Sequence, residues 1–258
     1  MVKLSSFYLT TQWQIMASKE IYYKNQSFTI SYQIVNPSQT PSILILHGWG
    51  SNKEIMQKSF GQTLSRYQHI YIDMPGFGKS SNPMILQTSD YTAIIRLFLE
   101  KLNVDVEIAM GHSFGGKVAT LLGTPYLVLL SSSGVLVPKA FIVRCKIALF
   151  KMLKPLKLDK LQQLFVSSDA KGMTQEMYET FKNVVNEDFE ENFIKSKSES
   201  LLFWGKEDTA TPLYSGKKIA QLIKKSHFYP LDGDHFFFVK HSAFIAQTIT
   251  NTCKESNA

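Results

Sequence analysis

The sequence has little of what marks the specialised protein classes. Its 258 residues include only two cysteines, Cys145 and Cys253. Two are too few for a disulfide framework, which favours a reducing compartment. No apolar run approaches the roughly 20 residues that a membrane-spanning helix needs, and residues 1–20 lack the uninterrupted apolar core of a signal peptide. With 44% hydrophobic and 12% aromatic residues, the chain is too apolar for disorder. We therefore expect a cytoplasmic globular protein.

Short apolar strands alternate with helical segments along most of the chain. Residues 28–35 alternate apolar and polar positions as a half-buried, edge-type strand does, whereas 42–46 is a continuous apolar run typical of a buried parallel strand. We predict strands over 28–35, 42–46, 69–74, 106–110, 126–130, 200–204 and 227–231, and helices over 55–67, 91–102, 115–122, 214–225 and 236–252. This alternation predicts an α/β fold with a mostly parallel central sheet flanked by helices.

The alternation is interrupted once. Residues 134–197 show helical periodicity but no convincing strand. A helical insertion after one strand of an alternating sheet predicts a cap over the ligand-binding edge of that sheet. The predicted domains are an α/β core of residues 1–133 and 199–258, and a helical cap, or lid, of residues 134–198.

The net charge of +7 is concentrated in one segment of this cap, residues 139–160. Residues 139–160 contain seven basic residues and one acidic residue, whereas residues 161–198 contain seven acidic and four basic. Between 139 and 154 the cations occupy one face of a basic amphipathic helix. Two interpretations stay open: a lid helix with a solvated basic face, or a surface for an anionic membrane or an acyl carrier protein. No basic stripe continues beyond it, which argues against nucleic-acid binding.

A candidate nucleophile lies where a predicted strand meets a predicted helix. Residues 111–115 read Gly-His-Ser-Phe-Gly and fit the pattern G-x-S-x-G. A sharp strand-to-helix turn projects the hydroxyl of Ser113 at the carboxyl edge of the sheet, and the flanking glycines permit that backbone. His112 is expected to pack or to form a hydrogen bond rather than to titrate.

A candidate acid and a candidate base follow Ser113 in the sequence. A serine hydroxyl needs a base to take its proton, and the base needs an acceptor that fixes its tautomer. Asp208 follows the strand over 200–204, and His235 follows the last strand. The order Ser113, Asp208, His235 therefore predicts a catalytic triad. Other carboxylates compete with Asp208 for the acid role: Glu207, Asp232 and Asp234.

From about Phe28 onward, the chain resembles the serine-nucleophile branch of the α/β-hydrolase superfamily. Besides the Ser113 turn, the resemblance rests on His-Gly-Trp-Gly at 47–50 and on Asp-Met-Pro-Gly-Phe-Gly-Lys-Ser at 73–80. It implies that Ser113 is the nucleophile, His235 the general base and Asp208 its orienting acid. It also implies an oxyanion hole formed by the backbone N–H groups of Trp49 and Phe114. No metal and no cofactor are expected. His47 and Asp73 are interpreted as structural residues of their loops.

The substrate class follows from the nucleophile. A serine implies an acyl-enzyme, so carboxylic esters or thioesters are the expected small-molecule substrates, as in the small carboxylesterases, whose His-Gly-Trp-Gly loop is similar. One alternative is carbon–carbon hydrolysis of 2-hydroxy-6-oxo-dienoates, as in the similar meta-cleavage-product hydrolases. Another is a non-catalytic protein that binds a ligand or a membrane surface. The candidate substrate-binding residues are Trp49, Phe141 and Arg144. The oligomeric state stays open.

Overall fold

A computed structural model of the chain describes residues 14–136, 174–185 and 187–255. Its strands are β1 (Gln14–Tyr23), β2 (Gln26–Val35), β3 (Ser42–Leu46), β4 (Gln68–Ile72), β5 (Val106–His112), β6 (Tyr126–Leu130), β7 (Glu199–Gly205) and β8 (Ser226–Leu231). Its helices are α1 (Lys53–Phe60), α2 (Thr88–Leu102), α3 (Phe114–Leu122), α4 (Gln175–Val185), α5 (Glu190–Lys195), α6 (Leu213–Leu222) and α7 (Phe238–Glu255). No helix among these residues is both long and apolar enough to cross a bilayer.

All eight strands form one sheet in the order β1-β2-β4-β3-β5-β6-β7-β8. β2 pairs antiparallel with β1 and β4, whereas all pairs from β4 through β3 to β8 are parallel. The predicted mostly parallel sheet is therefore confirmed. Because β5 to β8 run in the same direction, their carboxyl ends meet at one edge of the sheet, which is where such folds bind ligands.

The central strands are buried on both faces of the sheet. Along β3, Leu44 and Leu46 join one hydrophobic cluster while Ile43 and Ile45 join the other, and all four are fully buried. Side chains of a strand alternate between faces, so a strand covered by helices on both sides needs apolar residues at every position. This explains the continuous apolar run in the sequence.

One prediction about the first part of the chain is wrong, and one strand is absent from the predictions. Residues 28–35 do not form an edge strand, because β1 covers the outer side of β2. Sequence reasoning missed β1, whose hairpin turn uses Lys24 and Asn25 at positive φ values of 47° and 62° instead of a glycine. Lys24 is held there by an ion pair with Asp90 at 2.8 Å.

The helix predicted over 55–67 is also shorter than expected. α1 ends at Phe60, and Gly61 occupies the position that follows. Leu64 has a positive φ of 54°, and the N–H of Tyr67 donates to the carbonyl of Leu64 at 2.9 Å. Apolar residues at helical spacing therefore continue into a turn, where their burial against the sheet produces the same pattern.

The described part of the predicted cap consists of α4, α5 and their flanks. α4 contacts the loop before α2: the N–H of Leu86 donates to Thr180 Oγ1 at 2.9 Å, and Asn183 Nδ2 donates to the carbonyl of Leu86 at 3.3 Å. The boundaries of the cap stay a prediction. The predicted basic helix over 139–154, with Phe141 and Arg144, lies outside the described residues.

Candidate active site

Ser113 occupies a strained turn between β5 and α3. Its backbone angles are φ 52° and ψ −117°, outside the regions that L-residues ordinarily adopt. The turn also requires close backbone approach, since a Cβ on Gly115 would lie 2.5 Å from the carbonyl oxygen of His47. The N–H of Ser113 donates to the carbonyl of Leu130, at the end of β6, at 3.1 Å. The side chain is half-buried at the carboxyl edge of the sheet.

Asp208 lies in the loop after β7 and is surrounded by hydrogen-bond donors. Its Oδ1 accepts the backbone N–H groups of Ala210 at 2.8 Å and Thr211 at 2.9 Å, and its Oδ2 accepts the Thr211 hydroxyl at 2.8 Å. Burial alone would raise the pKa of Asp208. The adjacent His235 and the donors of Thr211 outweigh burial, so the pKa lies below its usual value. Asp208 is therefore held as a buried carboxylate.

His235 lies in the loop after β8 and contacts Asp208 directly. Its Nδ1 is 2.8 Å from Asp208 Oδ2, and both side chains are almost completely buried. A carboxylate only accepts hydrogen bonds, so Nδ1 carries the proton and Nε2 keeps its lone pair. One carboxylate thus fixes the tautomer that a general base requires.

The loops that carry these residues are tied together at the sheet edge. The N–H of Lys206 donates to the carbonyl of Leu231 at 2.8 Å, and the N–H of Glu207 donates to that of Gly233 at 3.0 Å. On the other side, His112 Nε2 is 2.9 Å from the carbonyl oxygen of His235. The residue before Ser113 and the loop of His235 are therefore in direct contact.

The other candidate acids have partners of their own. Glu207 accepts the N–H of Gly233, Asp232 pairs with Lys206 at 2.7 Å, and Asp234 accepts the N–H of Phe236 at 2.8 Å. The last bond lies just before α7. Among these carboxylates, only Asp208 hydrogen-bonds to the ring of His235.

The loop between β3 and α1 passes beside Ser113. A Cβ on Gly48 would lie 3.1 Å from that of Ser113. The Trp49 ring follows and packs against Phe77, Phe114 and Phe181, with centroids 4.8, 5.6 and 5.3 Å away. Within the described residues, the backbone N–H groups of Trp49 and Phe114 donate no hydrogen bond to the protein. Two backbone donors and an aromatic wall therefore flank the serine.

His47 and Asp73 form buried hydrogen bonds that stabilise the loop between β3 and α1. His47 Nδ1 is 2.8 Å from the carbonyl oxygen of Gly48, while Nε2 accepts the N–H of Met74 at 3.0 Å. Because Nε2 accepts a hydrogen bond, the ring of His47 is neutral, and burial lowers its pKa. Asp73 binds the Lys53 ammonium at 2.7 Å and the Lys53 N–H at 2.9 Å. Both side chains therefore hold the loop that carries Trp49.

Sequence reasoning missed two residues beside the site. Thr211 links the loops through its bonds to Asp208, and its hydroxyl also lies 3.0 Å from the carbonyl of Ser131 and 3.4 Å from His235 Nδ1. An Asp followed three residues later by Thr is a local capping pattern that could have indicated it. The other is Lys117, for which a lysine inside an apolar helix is the only signal.

Lys117 is a buried cation on α3, the helix that follows Ser113. Its ammonium donates to the carbonyl of Val184 at 2.9 Å, lies 2.5 Å from a carboxylate oxygen of Glu187 and sits 5.0 Å from the ring centroid of Phe189. Burial lowers the pKa of Lys117, although Glu187 opposes the change. α3 is thereby joined to the segment after α4. Among the described residues, no cluster of three or more His, Cys, Asp or Glu side chains could hold a metal.

Known proteins with similar sequences include members of one hydrolase fold family. Residues 41–126 match the family described as alpha/beta hydrolase fold. The chain is 25% identical over 196 residues to a 2-hydroxy-6-oxononadienedioate/2-hydroxy-6-oxononatrienedioate hydrolase from Paraburkholderia phymatum, covering 63% of this chain and 68% of that protein. It is 34% identical over 96 residues to a pimeloyl-acyl-carrier-protein methyl ester esterase from Shewanella woodyi, covering 37% of this chain and 35% of that one.

These alignments are partial, whereas structural similarity extends over most of the chain. The chain spans between 20% and 68% of the length of the first curated relatives that it matches. A bacterial membrane phospholipase A has a TM-score of 0.77 and 20% identity, covering 94% of this chain and 87% of that one. At this identity the structural likeness concerns the fold. With the family match over residues 41–126 and the sheet order described above, it shows that the chain has the α/β-hydrolase fold.

Proposed function

We propose that this protein is a serine hydrolase that cleaves carboxylic esters or thioesters through an acyl-enzyme on Ser113. The observation that carries the proposal is the 2.8 Å hydrogen bond between Asp208 and His235, formed at the sheet edge where Ser113 occupies its strained turn. A neutral imidazole in the Nδ1–H tautomer, hydrogen-bonded to a carboxylate at the same sheet edge as such a serine, is the arrangement that activates a hydroxyl.

We assign the first half of the reaction to Ser113, His235, Asp208 and two backbone N–H groups. Ser113 Oγ attacks the carbonyl carbon while His235 Nε2 takes its proton, and Asp208 stabilises the imidazolium. The negative oxygen accepts the N–H groups of Trp49 and Phe114, the second of which begins α3 and adds the positive end of the helix dipole. When the tetrahedral intermediate collapses, the C–O or C–S bond breaks and His235 returns the proton to the leaving alcohol or thiol.

The second half of the reaction regenerates the enzyme. Water attacks the ester carbon of acylated Ser113, and His235 Nε2 takes a proton from that water. Collapse releases the carboxylic acid and returns the proton to Ser113 Oγ. No other reactant is required. The aromatic wall of Trp49, Phe77, Phe114 and Phe181 supports an apolar acyl or alcohol group in the substrate.

A fluorophosphonate probe tests the assignment of the nucleophile. We expect the wild type to be labelled and to hydrolyse short acyl esters, and Ser113→Ala to do neither. Ser59→Ala is a matched control, because the Ser59 hydroxyl bonds to the carbonyl of Ile55 in its own helix, away from the sheet edge. Labelling that persists in Ser113→Ala would contradict the assignment. An unlabelled wild type would favour a non-catalytic, ligand-binding protein.

Carbon–carbon hydrolysis is the second candidate, favoured by the similarity to the Paraburkholderia phymatum hydrolase over 63% of this chain. The family pattern for that chemistry has a longer glycine-rich oxyanion loop and an asparagine before the serine. Trp49 and His112 occupy those positions here. Turnover of a coloured 2-hydroxy-6-oxo-dienoate in preference to simple esters would establish this alternative. A role for the basic segment 139–154 in binding an acyl carrier protein or an anionic membrane stays a prediction.

A further inference from the structure

His112 is a buried titratable group that the proposed reaction does not use. It is the last residue of β5, directly before Ser113, and is 2% exposed. Its ring centroid lies 4.5 Å from that of His235, with 49° between the ring planes. The rings of Phe236 and Phe238 lie 5.2 and 4.8 Å from it. Its ring thus packs directly against that of the proposed general base.

One hydrogen bond fixes the tautomer of His112. Nε2 lies 2.9 Å from the backbone carbonyl oxygen of His235, and a carbonyl can only accept. Nε2 therefore carries the proton, and Nδ1 of the neutral ring keeps its lone pair. Nδ1 is buried and has no hydrogen-bond partner among the described residues. A buried acceptor without a partner, such as Nδ1, lowers the stability of the folded protein. Hydration of Nδ1 therefore does not explain why His112 occupies this position.

The buried position of His112 also disfavours a positive charge on its ring. Burial, and then the neighbouring His235, lower the pKa of His112 well below its usual value. When His235 takes a proton from Ser113, a second positive ring at 4.5 Å would oppose that step. A neutral imidazole supplies a donor to the loop of His235 without opposing its protonation.

Gly48 packs closely against the side of the His112 ring that bears Nδ1. A Cβ at Gly48 would lie 2.9 Å from His112 Nδ1 and 3.1 Å from Ser113 Cβ. The imidazole is therefore enclosed between the loop of Trp49 and the loop of His235. Its orientation is fixed by this packing and by the Nε2 hydrogen bond together.

We propose that His112 is a positioning residue for His235: its Nε2–H bond to the His235 carbonyl and its ring contact hold the His235 imidazole against Asp208. This inference rests on the proposed function. It adds a fourth side chain to the three that the reaction uses, one that acts through His235 and touches no reacting atom.

Variants of His112 separate this role from simple packing. His112→Met fills a similar volume without a donor, whereas His112→Gln keeps an N–H near the position of Nε2. His69→Met is the matched control, since His69 is equally buried on β4 and bonds to Tyr71 and Leu64 instead. We expect His112→Met to lower kcat for esters by about 100-fold with little change in KM, and His112→Gln to recover at least part of it. His69→Met should lower the melting temperature while kcat is retained.

Two NMR measurements test the inference without turnover. In the wild type, 1H–15N spectra should show His112 protonated at Nε2, and protonation at Nδ1 would overturn the proposal even if the variants fail to fold. The downfield resonance of the proton shared by His235 and Asp208 should shift or broaden in His112→Met but not in His69→Met. A folded His112→Met with wild-type kcat and an unchanged resonance would also overturn it. A wild type that neither labels nor hydrolyses esters would contradict only the proposed function.

Discussion

Thr211 donates to both carboxylate oxygens of Asp208: its N–H to Oδ1 at 2.9 Å and its hydroxyl to Oδ2 at 2.8 Å. Oδ2 is also the atom that accepts Nδ1–H of His235. The backbone of Thr211 is held in turn, because its carbonyl accepts the indole N–H of Trp204 at 2.7 Å. The buried end of β7 thereby sets the orientation of the carboxylate and, through it, that of the imidazole.

Removing the Thr211 hydroxyl should weaken this orientation while the backbone bond remains. We expect Thr211→Val to lower kcat about tenfold, the equivalent of about 1.4 kcal/mol of transition-state stabilisation, with KM unchanged. The free energy of unfolding should fall by about 1.5–3 kcal/mol, the range for a lost hydrogen bond to a charged group. Steady-state kinetics and urea denaturation measure both. Thr211→Ser, which keeps the hydroxyl, should behave like the wild type, and a wild-type kcat in Thr211→Val would contradict this account.

Much of the fold could be predicted because its central strands are apolar at every position. A run such as residues 42–46 must be buried on both faces, and helices between such runs require parallel pairing. β1 could not be predicted in the same way. It lies at one edge of the sheet, where few positions need to be apolar, and its turn uses Lys24 and Asn25 rather than glycine.

The candidate site shows the same contrast. Ser113, Asp208 and His235 each follow a recognisable strand, so topology alone places them at one edge. Thr211 and Lys117 depend on side-chain geometry between elements distant in sequence. Nothing in a sequence shows that the Lys117 ammonium reaches the carbonyl of Val184, because that contact exists only once α4 packs near α3.

Replacing the carboxylate of Asp208 by an amide should leave the fold but disturb the tautomer of His235. The amide that Asp208→Asn introduces can donate to Nδ1, which moves the ring proton to Nε2 and removes the base. We expect Asp208→Asn to lower kcat by about 10⁴-fold, as the same change does in other triads. Asp232→Asn is the control, since that exposed carboxylate pairs with Lys206. If Asp232→Asn lost as much activity as Asp208→Asn, the assignment of the acid would be wrong.

The pH dependence of stability should also depend on Asp208. Its pKa in the folded protein lies below the ordinary value of 3.8. At a pH between these two values the unfolded chain binds a proton that the folded protein does not, so stability rises with pH there. The contribution is complete above about pH 3.8 and is lost as pH falls through the folded pKa. Urea denaturation from about pH 5 to about pH 3 should show a steeper loss for the wild type than for Asp208→Asn. The solvent-exposed Asp105, as Asp105→Asn, should retain the wild-type slope.

The two partners of the Lys117–Glu187 pair should respond unequally to substitution. The Lys117 side chain is 1% exposed and that of Glu187 is 32% exposed. Glu187→Gln leaves a buried cation without its counter-charge, whereas Lys117→Met leaves a carboxylate that water can still reach. We expect Glu187→Gln to lower the free energy of unfolding by about 2 kcal/mol, and Lys117→Met by less. The double variant should be more stable than Glu187→Gln alone, because the buried charge is gone. Chemical denaturation of the three variants measures the coupling, and simple additivity of the two single effects would show that the pair contributes no interaction energy.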